Sequence, residues 1–256
     1  MPRSPGRLPG APASGDALPV WQRRRRIVVA GHKGGAELGR VGLTDPAPEV
    51  RAAALGALAR LGALAPADVV AALADPAAAV RRRACELAPR SAAPSSGARR
   101  DGGPVPGSEP AAVAAEVVRA LVSACGEPEP SVCEAACYAL GELPPEQVGP
   151  DVVPALVRTA GGHPEPLCRE AAVAALGSLG AGQGLPAVIA AMADRPAVRR
   201  RAAVALAAFE GPEVEEALQR ACNDRDWQVR QVAEDLIGRR RLPRGTARPA
   251  QRPPAP

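Results

Sequence analysis

Six times this chain sets down an apolar anchor and an alanine four residues later. In most copies a leucine follows after four more. The anchors are Val50, Val80, Val132, Cys168, Val198 and Val229. Position +4 is alanine throughout: Ala54, Ala84, Ala136, Ala172, Ala202 and Ala233. Position +8 reads Leu58, Ala88, Leu140, Leu176, Leu206 and Ile237, and position +11 reads Leu61, Ser91, Leu143, Leu179, Phe209 and Arg240. Steps of four, four and three stay on one face of an α-helix, whereas a strand alternates every second residue. A helical unit repeated at near-constant period predicts an all-α solenoid, a right-handed superhelix of about six helix pairs in which each unit buries its apolar face only against a neighbour.

Each anchor-bearing helix, helix B, follows a turn and a second apolar stretch, helix A. The A candidates carry Leu38 and Val41; Val69, Val70 and Leu73; Val113, Val117 and Leu121; Val153, Leu156 and Val157; Leu185, Val188 and Met192; and Val214 and Leu218. The turns read Asp45-Pro46, Asp75-Pro76, Glu127-Pro128, His163-Pro164, Asp194-Arg195-Pro196 and Asp224-Arg225. Proline is tolerated there because its missing N–H costs no helical hydrogen bond. The aspartates are expected to cap the first N–H groups of helix B. Gly62, Gly180 and Gly238 are expected to close B helices, since glycine readily takes the left-handed conformation just past a helix end.

Successive anchors lie 30, 52, 36, 30 and 31 residues apart. The long interval holds SAAPSSGARRDGGPVPGSEP, which has Val105 as its one branched aliphatic residue. Such a stretch buries too little apolar surface to order itself. The expected organisation is a disordered Pro/Gly-rich N-terminus over 1–20, a cap plus two repeats over 21–90, a disordered insertion over 91–110, four repeats over 111–238 and a basic disordered tail over 239–256. Trp21 to Ala30 is the cap, a short helix or strand over the open end of the first repeat. Whether the two halves stack continuously or hinge is left open.

Composition narrows the function. The 256 residues include two Trp, one Tyr and one Phe. Aromatic side chains dominate ordinary globular cores, so this alanine-rich chain suits small helices packed closely. The cysteines Cys85, Cys125, Cys133, Cys137, Cys168 and Cys222 fall at or near apolar helix positions, as small buried hydrophobes of a reducing compartment do. Cys133 and Cys137 are four apart with Cys125 nearby, but no C-x-x-C and no suitably spaced histidine accompanies them, so no metal site is expected. Residues 1–20 lack a secretory apolar core and no run of about 18 apolar residues occurs, which points to a cytoplasmic protein without a membrane span. The net charge of +5 resides in the ends, through Arg23–Arg26 and Arg239–Arg241 among others, while residues 34–238 are acidic on balance.

DPAPEVRAAALGALARLG (Asp45–Gly62), DPAAAVRRRACELA (Asp75–Ala88) and DRDWQVRQVAEDLIG (Asp224–Gly238) resemble HEAT repeats. The period is shorter than the usual HEAT period and is similar to the short HEAT-like units of bilin (PBS) lyases. The resemblance covers about residues 34–238 and implies an armadillo-like α-solenoid. It is weaker for function, because folds host many functions. HEAT-like deoxyhypusine hydroxylases hold two irons with repeated His-Glu pairs; here His32 precedes Lys33 and His163 precedes Pro164. HEAT-like alkylpurine glycosylases use aromatics in a basic channel, which an acidic, aromatic-poor array does not offer. The resemblance also implies that the arginine after each anchor joins an acidic turn residue of its own or a neighbouring repeat.

That arginine recurs as Arg51, Arg81, Arg169, Arg199 and Arg230, with Cys133 in the third copy. With Asp45, Asp75, Asp194 and Asp224 it is expected to form an inter-repeat ladder, since a guanidinium fork bonds a carboxylate twice. The rival reading is a row of phosphate-binding arginines. The next position, Ala52, Arg82, Glu134, Glu170, Arg200 and Gln231, mixes signs and supplies no continuous positive groove. Arg82, Arg83, Glu134, Tyr138, Glu170, Arg200 and Arg201 are the candidate protein-contact residues. No catalytic or cofactor-binding residue is assigned. The expectation is a non-catalytic scaffold that binds a protein on the helix B face. The alternatives are a nucleic-acid-associated protein acting through weak polyanion binding by its basic ends, or a lyase- or chaperone-like accessory. If the register is right, Leu140→Asp should lower the thermal midpoint far more than Arg99→Asp, and equal midpoints would contradict it.

Overall fold

The computed structural model describes residues 18–92 and 109–241. Among these residues it holds thirteen α-helices, three short 3-10 turns and no strand. The chain divides into two compact units at Leu64/Ala65. The expected disordered stretches lie mostly outside the described residues. At their edges, however, helices run further than expected: the first starts at Val20, the fifth reaches Ala92, the sixth starts at Glu109 and the last reaches Arg241.

The first unit contains α1 (Val20–Lys33), α2 (Ala36–Gly42) and α3 (Pro48–Arg60). Helix α1 is more than a cap. It lies against α3, burying Ile27 beside Val50, Ala54 and Ala57. It ends at Gly34, whose φ of 88° is left-handed, so the chain can turn directly into α2. Val41, expected inside, is exposed at 68%. In this first A helix the buried positions are Gly39 and Gly42, where an added Cβ would meet Leu58 and Ile27.

The second unit alternates A and B helices. The A helices are α4 (Pro66–Leu73), α6 (Glu109–Ala124), α8 (Val152–Gly162), α10 (Leu185–Ala191) and α12 (Pro212–Ala221). The B helices are α5 (Ala78–Ala92), α7 (Pro130–Gly141), α9 (Pro166–Leu179), α11 (Pro196–Ala205) and α13 (Trp227–Arg241). The B helices stack in sequence, α5 on α7, α7 on α9, α9 on α11 and α11 on α13. Because α4 packs on α6 and α5 on α7, stacking continues from one side of residues 93–108 to the other.

Small residues make this stack close. All six +4 alanines are completely buried. Gly141 faces Ala175 and Gly177 faces Ala205, so that a Cβ at Gly177 would lie 2.7 Å from the Ala205 Cβ. Gly31 of α1 meets Ala57 in the same way. Leucines at +8 fill the space beneath; Leu58, Leu140, Leu176 and Leu206 are all fully buried. Ile237 in the last helix is only half-buried.

Two local expectations are corrected. Gly238 does not close α13, which continues to Arg241; Arg240 instead donates to the carbonyls of Leu206 and Phe209. The turn aspartates do not cap helix B itself. The oxygens of Asp45, Asp75 and Asp224 accept the N–H two residues on, at Ala47, Ala77 and Asp226, within the turn. Helices α3, α7, α9 and α11 begin with proline, so one of the unpaired N–H groups of the first turn is absent. The aspartate is left aimed at another helix.

Glycine-to-alanine substitutions should therefore split by sign. Gly177→Ala should destabilise by about 1–3 kcal/mol through overpacking on α11. Gly161→Ala, with nothing within 4 Å of its Cβ, should be neutral or stabilise by up to about 1 kcal/mol in urea titrations.

Candidate functional site

Arg81, Arg169 and Arg199 each perform two tasks at once. One terminal nitrogen turns back on its own turn: Arg81 Nη1 donates to the carbonyls of Asp75 and Pro76, and Arg169 Nη1 to those of His163 and Pro164. The other two nitrogens fork onto the carboxylate of the next turn. Arg169 reaches Asp194 with both bonds at 2.7 Å, Arg199 reaches Asp224 at 2.9 and 3.0 Å, and Arg81 reaches Glu127 at 2.7–3.0 Å. Arg51 and Arg230 donate to the Asp45 and Asp224 carbonyls. Arg199 is the most enclosed, its side chain 6% exposed.

Sequence reasoning missed one rung. Arg23 forks onto Asp45 at 2.8 and 3.0 Å and sends Nη1 to the Leu18 carbonyl. Helix α1 thus behaves as a further B helix, stacked on α3 and bonded to the turn before it. Its signal was an arginine 22 residues before a turn aspartate, hidden because Gln22 and Arg26 occupy the anchor and +4 positions. The hydrogen bonds from Arg23, Arg169 and Arg199 hold the carboxyls of Asp45, Asp194 and Asp224 below their usual range, against the opposing effect of burial.

Between α7 and α9 the arginine–carboxylate pair is replaced. Cys133 stands where arginine is expected and His163 where the acid is expected. Cys168 replaces the valine anchor beside them. Cys133 donates to the Cys125 carbonyl at 3.0 Å, and Cys168 to the Pro130 carbonyl at 3.5 Å. His163 Nδ1 accepts the Glu165 N–H at 3.1 Å, as the aspartates do, which leaves Nε2 to donate to the Glu127 carbonyl at 3.3 Å. One ligand-type atom from each of Cys133, His163 and Cys168 lies within 4.8 Å of the others. The thiols are held protonated: burial pushes Cys168 up to about 12, while hydrogen bonding within the thiol cluster and burial push Cys133 and Cys137 upward. Burial likewise raises Cys85 to about 12.

The B helices of the second unit also shape a groove of about 670 Å³. Its floor is small: Ala135 of α7, Ala171, Ala174 and Gly177 of α9, and Ala205 of α11. Tyr138, Leu167 and Val204 line it although exposed at 67%, 49% and 49%. Arg82, Arg201, Glu86, Glu134, Glu142 and Glu170 supply both signs of charge. Of the candidate contact residues, Arg82, Glu134, Tyr138, Glu170 and Arg201 come together here, with Arg201 bonded to Glu170 at 3.4 Å. Arg83 and Arg200 do not. Arg83 pairs with Glu86, and Arg200 pairs with Asp226 and Gln228. Leu167 and Val204 were missed because single exposed aliphatics carry no periodic signal.

Residues 118–196 match the family of HEAT repeats, so this stretch is built of HEAT-type repeats, within an all-helical fold similar to armadillo-type repeat structures. Residues 198–224 match, more particularly, the PBS lyase HEAT-like repeat. No curated protein matches the chain. Solved structures with similar folds include an engineered protein at 18% identity, covering 79% of this chain and 95% of that one with a TM-score of 0.54. The complex of CpcE and CpcF of phycocyanin lyase from Nostoc sp. is similar at 19% identity, covering 91% and 81%, with a TM-score of 0.52. A designed armadillo repeat protein is similar at 18%, covering 79% and 98%, with a TM-score of 0.53. At these identities the likeness is one of fold. Among the described residues no helix is long and apolar enough to cross a membrane.

The ladder carboxyls tie stability to acid. Their folded-state pKa values are depressed, so the stabilisation is present above the unfolded value, near 4, and is lost as pH falls through the folded value. Asp194→Asn should cost about 1–2 kcal/mol at pH 7. The variant should then lose less stability than wild type on acidification below pH ~4, as read from urea midpoints across that range.

Proposed function

We propose that the protein is a non-catalytic interaction scaffold whose groove along α5, α7, α9 and α11 receives a peptide segment of a partner protein. The observation that carries this reading is the exposure of Tyr138, Leu167 and Val204 above a floor of alanine and glycine. Large side chains left about half exposed or more in a concave surface are the usual anchors of an interface, and tyrosine is enriched among its energetic centres. A floor without bulky side chains lets a helix or extended segment approach the B helices closely. Four glutamates against two arginines on the rim favour a partner carrying both signs, and disfavour a nucleic-acid phosphate backbone. HEAT-type solenoids present such concave surfaces as binding platforms.

Affinity capture from native lysate with the full chain, with and without nuclease, tests the proposal when repeated with Ala174→Arg and Tyr138→Ala. The expected result is a discrete protein, indifferent to nuclease, lost with Ala174→Arg and bound at least about tenfold more weakly by Tyr138→Ala. Capture unchanged by both substitutions, or abolished by nuclease, would overturn it.

A further inference from the structure

Three departures from the repeat register fall on one junction. The arginine position becomes Cys133, the acidic turn position becomes His163, and the valine anchor becomes Cys168. A neutral mutation elsewhere in the array would leave an arginine or an aspartate without its partner. Here both members of the rung have changed together, and the neighbouring anchor with them. All three new residues are of types that ligate transition metals, and their donor atoms converge within 4.8 Å.

We propose that Cys133, His163 and Cys168 hold one d10 transition-metal ion, Zn²⁺ or Cu⁺, which joins α7 to the turn before α9 in place of the missing arginine rung. In tetrahedral zinc, with Zn–S bonds of about 2.3 Å, two thiolate ligands stand about 3.8 Å apart. The present spacing therefore needs only a small contraction. Two thiolates and an imidazole are soft to borderline donors and suit Zn²⁺ or Cu⁺ over Mg²⁺ or Ca²⁺. They complete a three-coordinate Cu⁺ shell, or leave one position on Zn²⁺ for water. The bond from His163 Nε2–H to the Glu127 carbonyl is the outer hydrogen bond that commonly orients a ligating histidine. Nδ1 then ligates in exchange for the Glu165 N–H. Binding displaces the two thiol protons to solvent, with no redox change at the ion. His163 lies between the exposed residues Gly162 and Pro164, so the ion enters from the turn. The site is invisible to motif reading, because its ligands are separated by 30 and 5 residues and come from two repeats.

The test uses the full chain without an affinity tag, reduced and stripped of metal. Co²⁺ serves as the spectroscopic probe for the zinc arm, and a chromophoric Cu⁺ chelator as the competitor for the copper arm. Cys133→Arg with His163→Asp rebuilds the arginine rung, and Cys168→Val restores the usual anchor. The expected result is one equivalent of Co²⁺ giving a thiolate charge-transfer band that Zn²⁺ abolishes, or one equivalent of Cu⁺ withheld from the chelator. Affinity should fall at least about a hundredfold in both variants while their metal-free melting stays at or above that of wild type. Cys85→Ala with Cys222→Ala should bind as wild type. No band and no Cu⁺ retention, or binding that survives in either ligand variant, would overturn the proposal.

Discussion

The constraint on which the rest depends is the separation between successive B helices. Gly141 against Ala175 and Gly177 against Ala205 leave no room for one more carbon atom. Helices that approach so closely cannot carry large side chains on their facing surfaces, which is why the +4 residue in all six copies of the anchor pattern is a fully buried alanine. The scarcity of aromatic residues follows from the same geometry. A phenylalanine at any of these positions would force the stack apart and strip its leucines of their neighbours.

Small facing residues bury little apolar surface each, so hydrophobic burial alone secures such a stack weakly. The arginine rungs supply the directional part. A guanidinium that bonds its own turn and forks onto the next sets both the spacing and the rotation of adjacent helices. The turn aspartate serves the same end: its oxygen accepts a turn N–H, which fixes the carboxylate where the fork arrives. Because each rung joins only neighbours, the arrangement is local, as is the stability of repeat arrays in general.

The helical register of the B helices was legible in the sequence because burial there obeys a strict period. Helix α1 was harder to see as a repeat, since Gln22 and Arg26 break the apolar pattern while Arg23 and Gly31 preserve the geometry. The groove was legible through its charges and Tyr138, which share a helical face. It was not legible through Leu167 and Val204, whose exposure depends on how two helices meet. The Cys133, His163 and Cys168 cluster was the least accessible, because it forms only when two turns of the solenoid are superposed. Its trace in the sequence was a set of exceptions to the repeat rather than a motif.

The sequence separations of the rungs carry a consequence for how such a protein can change over time. Arg23 reaches Asp45 across 22 residues, Arg169 reaches Asp194 across 25, and Arg81 reaches Glu127 across 46. The same fork forms in each case. Closing a longer intervening chain costs only a logarithmic entropy, about 0.6 kcal/mol for each doubling of length. The array is therefore nearly indifferent to how much chain is spliced between an arginine and its acceptor. New segments can be gained or lost at these junctions without re-engineering the stack, which makes the positions between rungs the natural entry points for evolutionary novelty.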